Sequence, residues 1–399
     1  MIKKILATVL IFLPLVSLAG EWSGYVGIEA RVFPHSAVDA AQDNSDNWSV
    51  VAEPEYYNDW DDGWQSFTFV PFLRIDQHDS ERTHFDIREL TWLKAADDWE
   101  LRVGVRQVFW GVAESNHLVD IINQTDLIEN IDTEDKLGQP MINFAFIKDW
   151  GTVDFFIMPG FRERTFPGIE GRLRTQPRVD TDHPVYESSA EDKHIDFAIR
   201  WSHVIGDFDI GLSHFYGTSR DPRFEFSFSG MQPILIPHYD IINQTSLDLQ
   251  ATKENWLWKL EMIYRSGQED LSGDDSYFAL VGGFEYTFFG VLESDIDVGI
   301  VSEYLFDDRD DNALTPFEDD IMIGVRLALN DVQSSDLLFG IIFDRDTSAK
   351  SFNLEASRRL GDSWKLEAEA RFFSDIPADD WQYFFRNDDY FQFTLSRYF

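Results

Sequence analysis

Eighteen runs of two-residue periodicity follow one another along the chain, and the links between them alternate between short and long. The runs fall at about 21–33, 47–57, 64–76, 83–95, 98–110, 140–148, 152–161, 191–204 and 208–218, then 238–251, 254–265, 275–288, 293–306, 318–329, 334–345, 350–360, 363–374 and 387–399. Most exceed the usual strand of a water-soluble sheet and match a tilted bilayer crossing of about nine to eleven residues. Their faces differ in kind. In 64–76, Phe67, Phe69, Pro71, Leu73 and Ile75 alternate with Ser66, Thr68, Val70, Phe72 and Arg74; in 363–374, Trp364, Leu366, Ala368, Ala370 and Phe372 alternate with Lys365, Glu367, Glu369 and Arg371. A packed sandwich core does not admit so charged a face, whereas a water-filled lumen does. Every second link is short, such as 96–97, 149–151, 205–207, 252–253 and 361–362. Those between are mostly longer, notably 34–45, 111–139, 162–190 and 219–237, with 77–82 and 346–349 brief. The pattern predicts an all-β chain: a transmembrane antiparallel β-barrel of about eighteen strands, with sixteen as the alternative count.

The first nineteen residues have a different character. Lys3 and Lys4 precede an apolar run from Ile5 to Leu18, and Ser17-Leu-Ala19 supplies small residues for cleavage. This is the pattern of a secretory signal peptide over 1–19, too short to anchor in a bilayer, followed by one barrel domain over 20–399. Without the leader, 31 basic residues face 72 acidic ones, a net charge of −41. Such acidity argues against nucleic acid as a partner, and the 35 Phe, 13 Tyr and 13 Trp argue against disorder. Zero cysteines suits an oxidising compartment.

The chain ends Tyr390-Phe-Gln-Phe-Thr-Leu-Ser-Arg-Tyr-Phe399, with Phe391, Phe393, Leu395 and Phe399 on one face. This segment resembles the C-terminal strand of bacterial outer-membrane proteins, except that Arg397 stands where an apolar residue is usual. The resemblance implies recognition by the barrel-assembly machinery and contact with outer-membrane lipid and lipopolysaccharide. At the rim, Arg397 could snorkel to headgroups.

The third outer connection, 111–139, is long for a loop in a compact protein. Leu118, Val119, Ile121, Ile122, Leu127, Ile128, Ile131 and Leu137 give it an apolar side. Glu114, Asp120, Asp126, Glu129, Asp132, Glu134 and Asp135 give it an acidic one, against Lys136 alone. A loop folded against the inner wall needs both. The preceding strands offer Arg74, Arg88, Arg102 and Arg106 on their expected inner faces. Here the chain resembles a porin, and Gly104-Val-Arg-Gln-Val-Phe-Trp-Gly111, with Glu114 and Asp120-Ile-Ile-Asn-Gln-Thr-Asp126, is similar to segments of poorly characterised porin-like proteins of proteobacteria. The resemblance implies an inward-folded constriction loop whose carboxylates face an arginine ladder and select solutes electrostatically.

Other motifs are weaker. The run Arg162, Arg164, Arg172, Arg174 and Arg178 is a basic island for which intramolecular pairing is the simpler reading. Asp308, Asp310, Asn312 and Asp319 have the oxygen spacing of a calcium loop, but Ala313 replaces its glycine. Trp22, Tyr57, Trp64, Trp92, Trp99, Trp110, Trp201, Tyr286, Tyr304 and Tyr398 near strand ends read as interfacial girdles. The eight-residue near-repeat at Asp120 and Asp240 is too short to mark a duplicated fold. No serine elbow, phosphate loop or zinc helix is present, and neither a cofactor, a metal nor a catalytic residue is expected. The sequence therefore predicts a Gram-negative outer-membrane channel for passive diffusion of small hydrophilic solutes or ions. The alternatives are a barrel accessory to an envelope export or lipid-transport system, and an outer-membrane hydrolase.

Overall fold

The structure, a computed structural model, describes residues 20–42, 44–378 and 380–399. The predicted leader lies outside them. Eighteen strands form one sheet: β1 Glu21–Val32, β2 Asp46–Trp60, β3 Gln65–Asp76, β4 His84–Ala95, β5 Trp99–Arg106, β6 Gln139–Lys148, β7 Gly151–Pro159, β8 Ile195–Ile205 and β9 Phe208–Thr218, followed by β10 Ile241–Lys253, β11 Trp256–Ser266, β12 Ser276–Phe288, β13 Asp297–Asp307, β14 Asp319–Ala328, β15 Asp336–Asp344, β16 Lys350–Leu360, β17 Trp364–Ser374 and β18 Tyr390–Tyr398. Each strand pairs antiparallel with its chain neighbours, and β18 closes on β1 from Tyr25 opposite Tyr398 to Val32 opposite Phe391. The Phe399 amide adds a bond to the Gly24 carbonyl at 3.1 Å. The last strand thus leaves no free edge in the ladder.

The period-two faces sort as the sequence predicts. On β1, Val26, Ile28 and Val32 are exposed while Glu29 and Arg31 are buried. On β3, Leu73 and Ile75 face out while Ser66, Phe72 and Arg74 are buried. A continuous apolar exterior of this kind suits hydrocarbon rather than water. Arg397 is exposed and lies over the Trp364 ring, 5.7 Å from its centroid.

The expected boundaries shift where loops compete for the backbone. β5 ends at Arg106 rather than at Trp110 because loop side chains capture the next amides. Val108 donates to the Asn123 side chain at 2.8 Å, and Trp110 donates to Asp120 at 2.5 Å. Trp110 is consequently not a girdle residue: it is 8% exposed and packs inside the barrel. β10 starts at Ile241 rather than His238, because Gln232–Tyr239 pairs with Arg223–Ser229 as a hairpin of the outer connection, joined in parallel by Arg178–Val179 and Val185–Tyr186. Single 3-10 turns at Glu191–Lys193 and Val291–Glu293 delay the starts of β8 and β13.

One residue tests the β4–β5 register. Gly104 (φ +142°) lies opposite Thr91, and a Cβ there would stand 1.9 Å from the Leu90 carbonyl oxygen. Gly104→Ala should destabilise the barrel by at least ~1 kcal/mol, seen as a lower temperature for loss of the compact, fast-migrating form on detergent gels. An unchanged temperature would contradict this pairing.

Candidate functional site

Between β5 and β6, residues 107–138 leave the wall and cross the lumen. Their apolar side packs against inward side chains of half the barrel. Trp110, Val119, Ile121 and Ile122 join Met141 of β6, Phe156 and Met158 of β7, Ala198 of β8, Phe215 of β9, Ile242 of β10, Ile263 of β11, and Tyr277 and Ala279 of β12. Ala113 continues the contact to Val281 of β12, Val301 and Leu305 of β13, and Met322 of β14. Burying these groups against the wall, at about 25 cal/mol per Å² of apolar surface, supplies the main drive for the loop to fold inward.

The acidic side meets buried arginines. Glu129 takes the Arg74 Nε at 2.8 and 2.9 Å, and Arg74 in turn bonds Glu29 of β1 at 2.9 Å. Asp126 accepts from Arg88 at 2.8 Å and from the Thr165 hydroxyl at 2.7 Å. Burial opposes ionisation of Asp126, but His84 and Arg88 outweigh it and hold the carboxyl down at about 2. Arg82 ties Glu29 (2.8 Å) and Asp76 (3.0 Å) to the Ile128 carbonyl (2.8 Å). Across the lumen, Asp132 pairs with Arg371 of β17 at 2.9 Å. Glu114 pairs with Lys259 of β11 at 3.0 Å and Arg326 of β14 at 2.8 Å.

Two wall glutamates hold the near half of the loop by its backbone. Glu261 of β11 accepts the amides of Val112 (2.6 Å), Ala113 (2.8 Å) and Val119 (3.1 Å). Glu303 of β13 accepts those of Glu114 and Ser115, each at 2.8 Å, and the Ser115 hydroxyl at 2.6 Å. Sequence reading missed both. Their only signal was parity, since Glu261 alternates with outward Leu260 and Met262, and parity does not reveal a partner nearly 150 residues away.

Of the residues singled out in the sequence, Arg74 and Arg88 therefore meet Glu129 and Asp126. Arg102 instead pairs with Glu100 on its own strand, and Arg106 donates to Asn143 of β6 at 2.9 Å. Asp120 serves the loop's own turn, accepting from Trp110 and from Gly111 at 2.9 Å. Glu134 and Asp135 form no ion pair among the described residues. Both residues are open to the lumen yet surrounded by the wall. Enclosure, with Asp132 and Glu355 nearby, pushes Glu134 up to about 7; enclosure with Glu129 and Asp132 pushes Asp135 up to about 8.

Glu134 sits where two spaces meet, and Asp135 faces the inner one. An outer cavity of about 430 Å³ is lined by loop residues and by Phe166, Phe224, Phe317, Phe352, Phe373 and Phe385. An inner cavity of about 310 Å³ lies between the loop and β1, β3 and β4, with Glu29, Arg74 and Glu129 in its lining. Glu134 and Lys136 line both.

Three other features fall away as sites. His84, Asp126 and Glu129 have ligand atoms within 4.8 Å of one another. Both carboxylates already carry guanidinium groups, so a metal ion there would face Arg74 and Arg88. Four arginines of the basic island form ion pairs, Arg162 with Asp86, Arg164 with Asp221, Arg172 with Asp388 and Arg174 with Asp39, while Arg178 lies in the short strand that joins the outer hairpin. The calcium-like stretch is spent on local structure: Asp307 pairs with Arg309, and Asp308 accepts the Phe278 amide.

Removing the Glu261 carboxylate would leave three loop amides without an acceptor, at about 1–3 kcal/mol for each buried unsatisfied group. Glu261→Ala should speed amide hydrogen exchange at Val112, Ala113 and Val119 by more than tenfold while β1–β4 amides keep their protection. Equal exchange in both proteins would show that apolar packing alone holds the loop.

No protein-family model matches the chain, and no curated protein matches its sequence. Among solved structures it is similar to Pseudomonas aeruginosa OccK11 (OpdR), at 9% identity and a TM-score of 0.54 over 95% of each chain. It is similar as well to Wzi, an outer-membrane protein involved in group 1 capsule assembly in Escherichia coli and a carbohydrate-binding β-barrel, at 9% identity and a TM-score of 0.52 over 93% of this chain and 83% of that one. Pseudomonas putida OprB aligns over 96% and 94% at 9% identity, with a TM-score of 0.47. At these identities the likeness is one of fold, and the fold is a closed, porin-like antiparallel β-barrel of eighteen strands.

Proposed function

We propose that the protein is an outer-membrane channel of a Gram-negative bacterium, carrying small hydrophilic solutes or ions down their gradients past an off-centre constriction at 132–136. One observation carries the reading: the outer and inner cavities have Glu134 and Lys136 in common, on the side of the lumen that the loop does not seal with apolar packing. Acids dominate that passage. Arg74 and Arg88 are neutralised by Glu29, Glu129 and Asp126, leaving Glu134 and Asp135, against the single Lys136, to set the local field. Cations are the favoured charge.

A second reading has one observation of its own. The six phenylalanines around the mouth offer flat apolar faces on which a pyranose ring can stack, and Wzi, of similar fold, binds carbohydrate. In that reading the barrel serves export of an envelope polymer and the loop is a plug. Conductance separates the two. The refolded mature chain in a planar bilayer should give steady ion-conducting steps; silence, together with retention on an immobilised acidic glycan, would favour the accessory role.

The constriction also predicts a pH dependence. Glu134 has a raised pKa, so it is charged above about 7 and neutral below it. Cation preference should be greatest at pH 8–9 and fall as pH drops through about 7. Glu134→Gln should lower the alkaline preference several-fold and flatten the profile, read from reversal potentials in a salt gradient. A mutant profile identical to that of the wild type would place the selective step elsewhere.

A further inference from the structure

At the outer rim, the register of β14 and β15 sets Asp320 directly opposite Asp344. Both lie on the inward face, two residues along from Met322 and Ile342, which pack inside the barrel. Like charges facing each other across an antiparallel pair repel. Glu318 extends the same face just outside β14, and Asp380 of the last outer connection is near enough for its charge to oppose ionisation of Glu318. Asp320 is 3% exposed, and its Oδ2 accepts no hydrogen bond. Among the described residues no Lys, Arg or His pairs with Glu318, Asp320 or Asp344. The adjacent Arg345 turns instead to Asp319, at 2.6 Å. Asp344 spends its oxygens on the Asp346 and Thr347 amides and the Thr347 hydroxyl, which fix its position without supplying positive charge.

A buried carboxylate with no positive partner and an unbonded oxygen must either take up a proton or acquire a cation. Enclosure and the charges of Asp344, Asp380 and Asp311 push the neighbouring Glu318 up to about 7, so both routes are open near neutral pH. The ligand set is all oxygen and comes from two strands and two outer connections. That suits Ca²⁺, which accepts irregular coordination by six to eight oxygens, better than Mg²⁺, which demands a near-ideal octahedron. We propose that Glu318, Asp320 and Asp344, joined by Asp380, form a calcium site at the outer mouth of the barrel. Their oxygens are not gathered to one point in the structure, and the ion would draw them together against their repulsion. The consequence is architectural: the last outer connection, which carries Gln382 and Phe385 into the lining of the outer cavity, becomes tied to the β14–β15 rim.

The test uses the full mature chain refolded in detergent and stripped with EDTA, titrated calorimetrically with CaCl₂ at pH 7.5. One Ca²⁺ should bind per chain, with a rise in the unfolding temperature and weaker competition from Mg²⁺. Asp320→Asn should weaken binding at least tenfold. Asp380→Asn, whose amide oxygen can still accept the Gln382 amide, should weaken it several-fold and reduce the thermal response at a fixed Ca²⁺ concentration. Asp61→Asn/Asp62→Asn, in the turn between β2 and β3, should change nothing. Absence of calcium binding to the wild type, or binding that survives both Asp320→Asn and Asp380→Asn, would overturn the site. A wild type that ignores Ca²⁺, with an Asp320→Asn protein that matches it in stability at pH 7.5, would overturn the site and assign the cluster to shared protons. Conductance plays no part in this outcome, so it stands apart from the channel reading.

Discussion

Closure of an eighteen-strand sheet is the constraint from which the rest of the molecule follows. In hydrocarbon every strand amide and carbonyl needs a partner, and pairing β18 with β1 provides it. The same closure creates a problem of volume. A barrel of about eight strands can be filled by its own side chains, while one of this size encloses a space they cannot reach across. Something must enter the lumen or water must fill it. Here residues 107–138 enter, and they do so without regular structure because their backbone groups find acceptors in the wall, at Glu261 and Glu303, rather than in a ladder.

The two halves of the lumen are closed by different physics. Along β6 to β14 the loop is held chiefly by apolar packing, which is insensitive to salt, with Glu114, Glu261 and Glu303 adding polar ties. Along β1 to β4 and at β17 it is held by buried ion pairs. Such pairs contribute little net stability relative to apolar replacements, but removing one partner strands a buried charge at about 3–5 kcal/mol. Their value is positional. Arg74 bridges Glu29 and Glu129 and so sets where the loop's far end lies, within a lattice that Arg31 and Arg82 complete. The asymmetry leaves Glu134 and Asp135 on the side where the contacts are polar, and neither forms an ion pair among the described residues.

Most of the wall was legible in the sequence because its determinant is local. Alternation with a period of two is written in neighbouring residues, and a bilayer outside with water inside makes both faces diagnostic. The entry of the loop was legible for a related reason, since Val119, Ile121 and Ile122 could not have been left on an aqueous surface. Their placement against Met158 and Ile242 is long-range, as are the partners of Glu114. Arg102 and Arg106 show the limit. They share parity with Arg74, yet a carboxylate on the same strand and an asparagine on the next are nearer than any on the loop. Parity assigns a face, whereas distance along the barrel axis decides who meets whom.

The near-repeat gives the sharpest instance of context overriding local sequence. Asp-Ile-Ile-Asn-Gln-Thr occurs from Asp120 and again from Asp240. In the second copy Ile241 to Thr245 belong to β10, and Ile242 and Gln244 point inward while Asn243 and Thr245 face out. In the first copy the same residues lie in the lumen with every side chain enclosed, and Asn123 holds the carbonyls of Arg106 and Leu137 at 2.7 and 2.8 Å. Ile122 and Ile242 then belong to one apolar cluster. A strand-forming hexapeptide is kept out of the sheet because its alternate side chains have no lipid to face. Surrounded by protein, its asparagine is worth more as a clamp on the loop's two ends than as an outward residue, and the loop keeps the irregular backbone that lets it cross the pore.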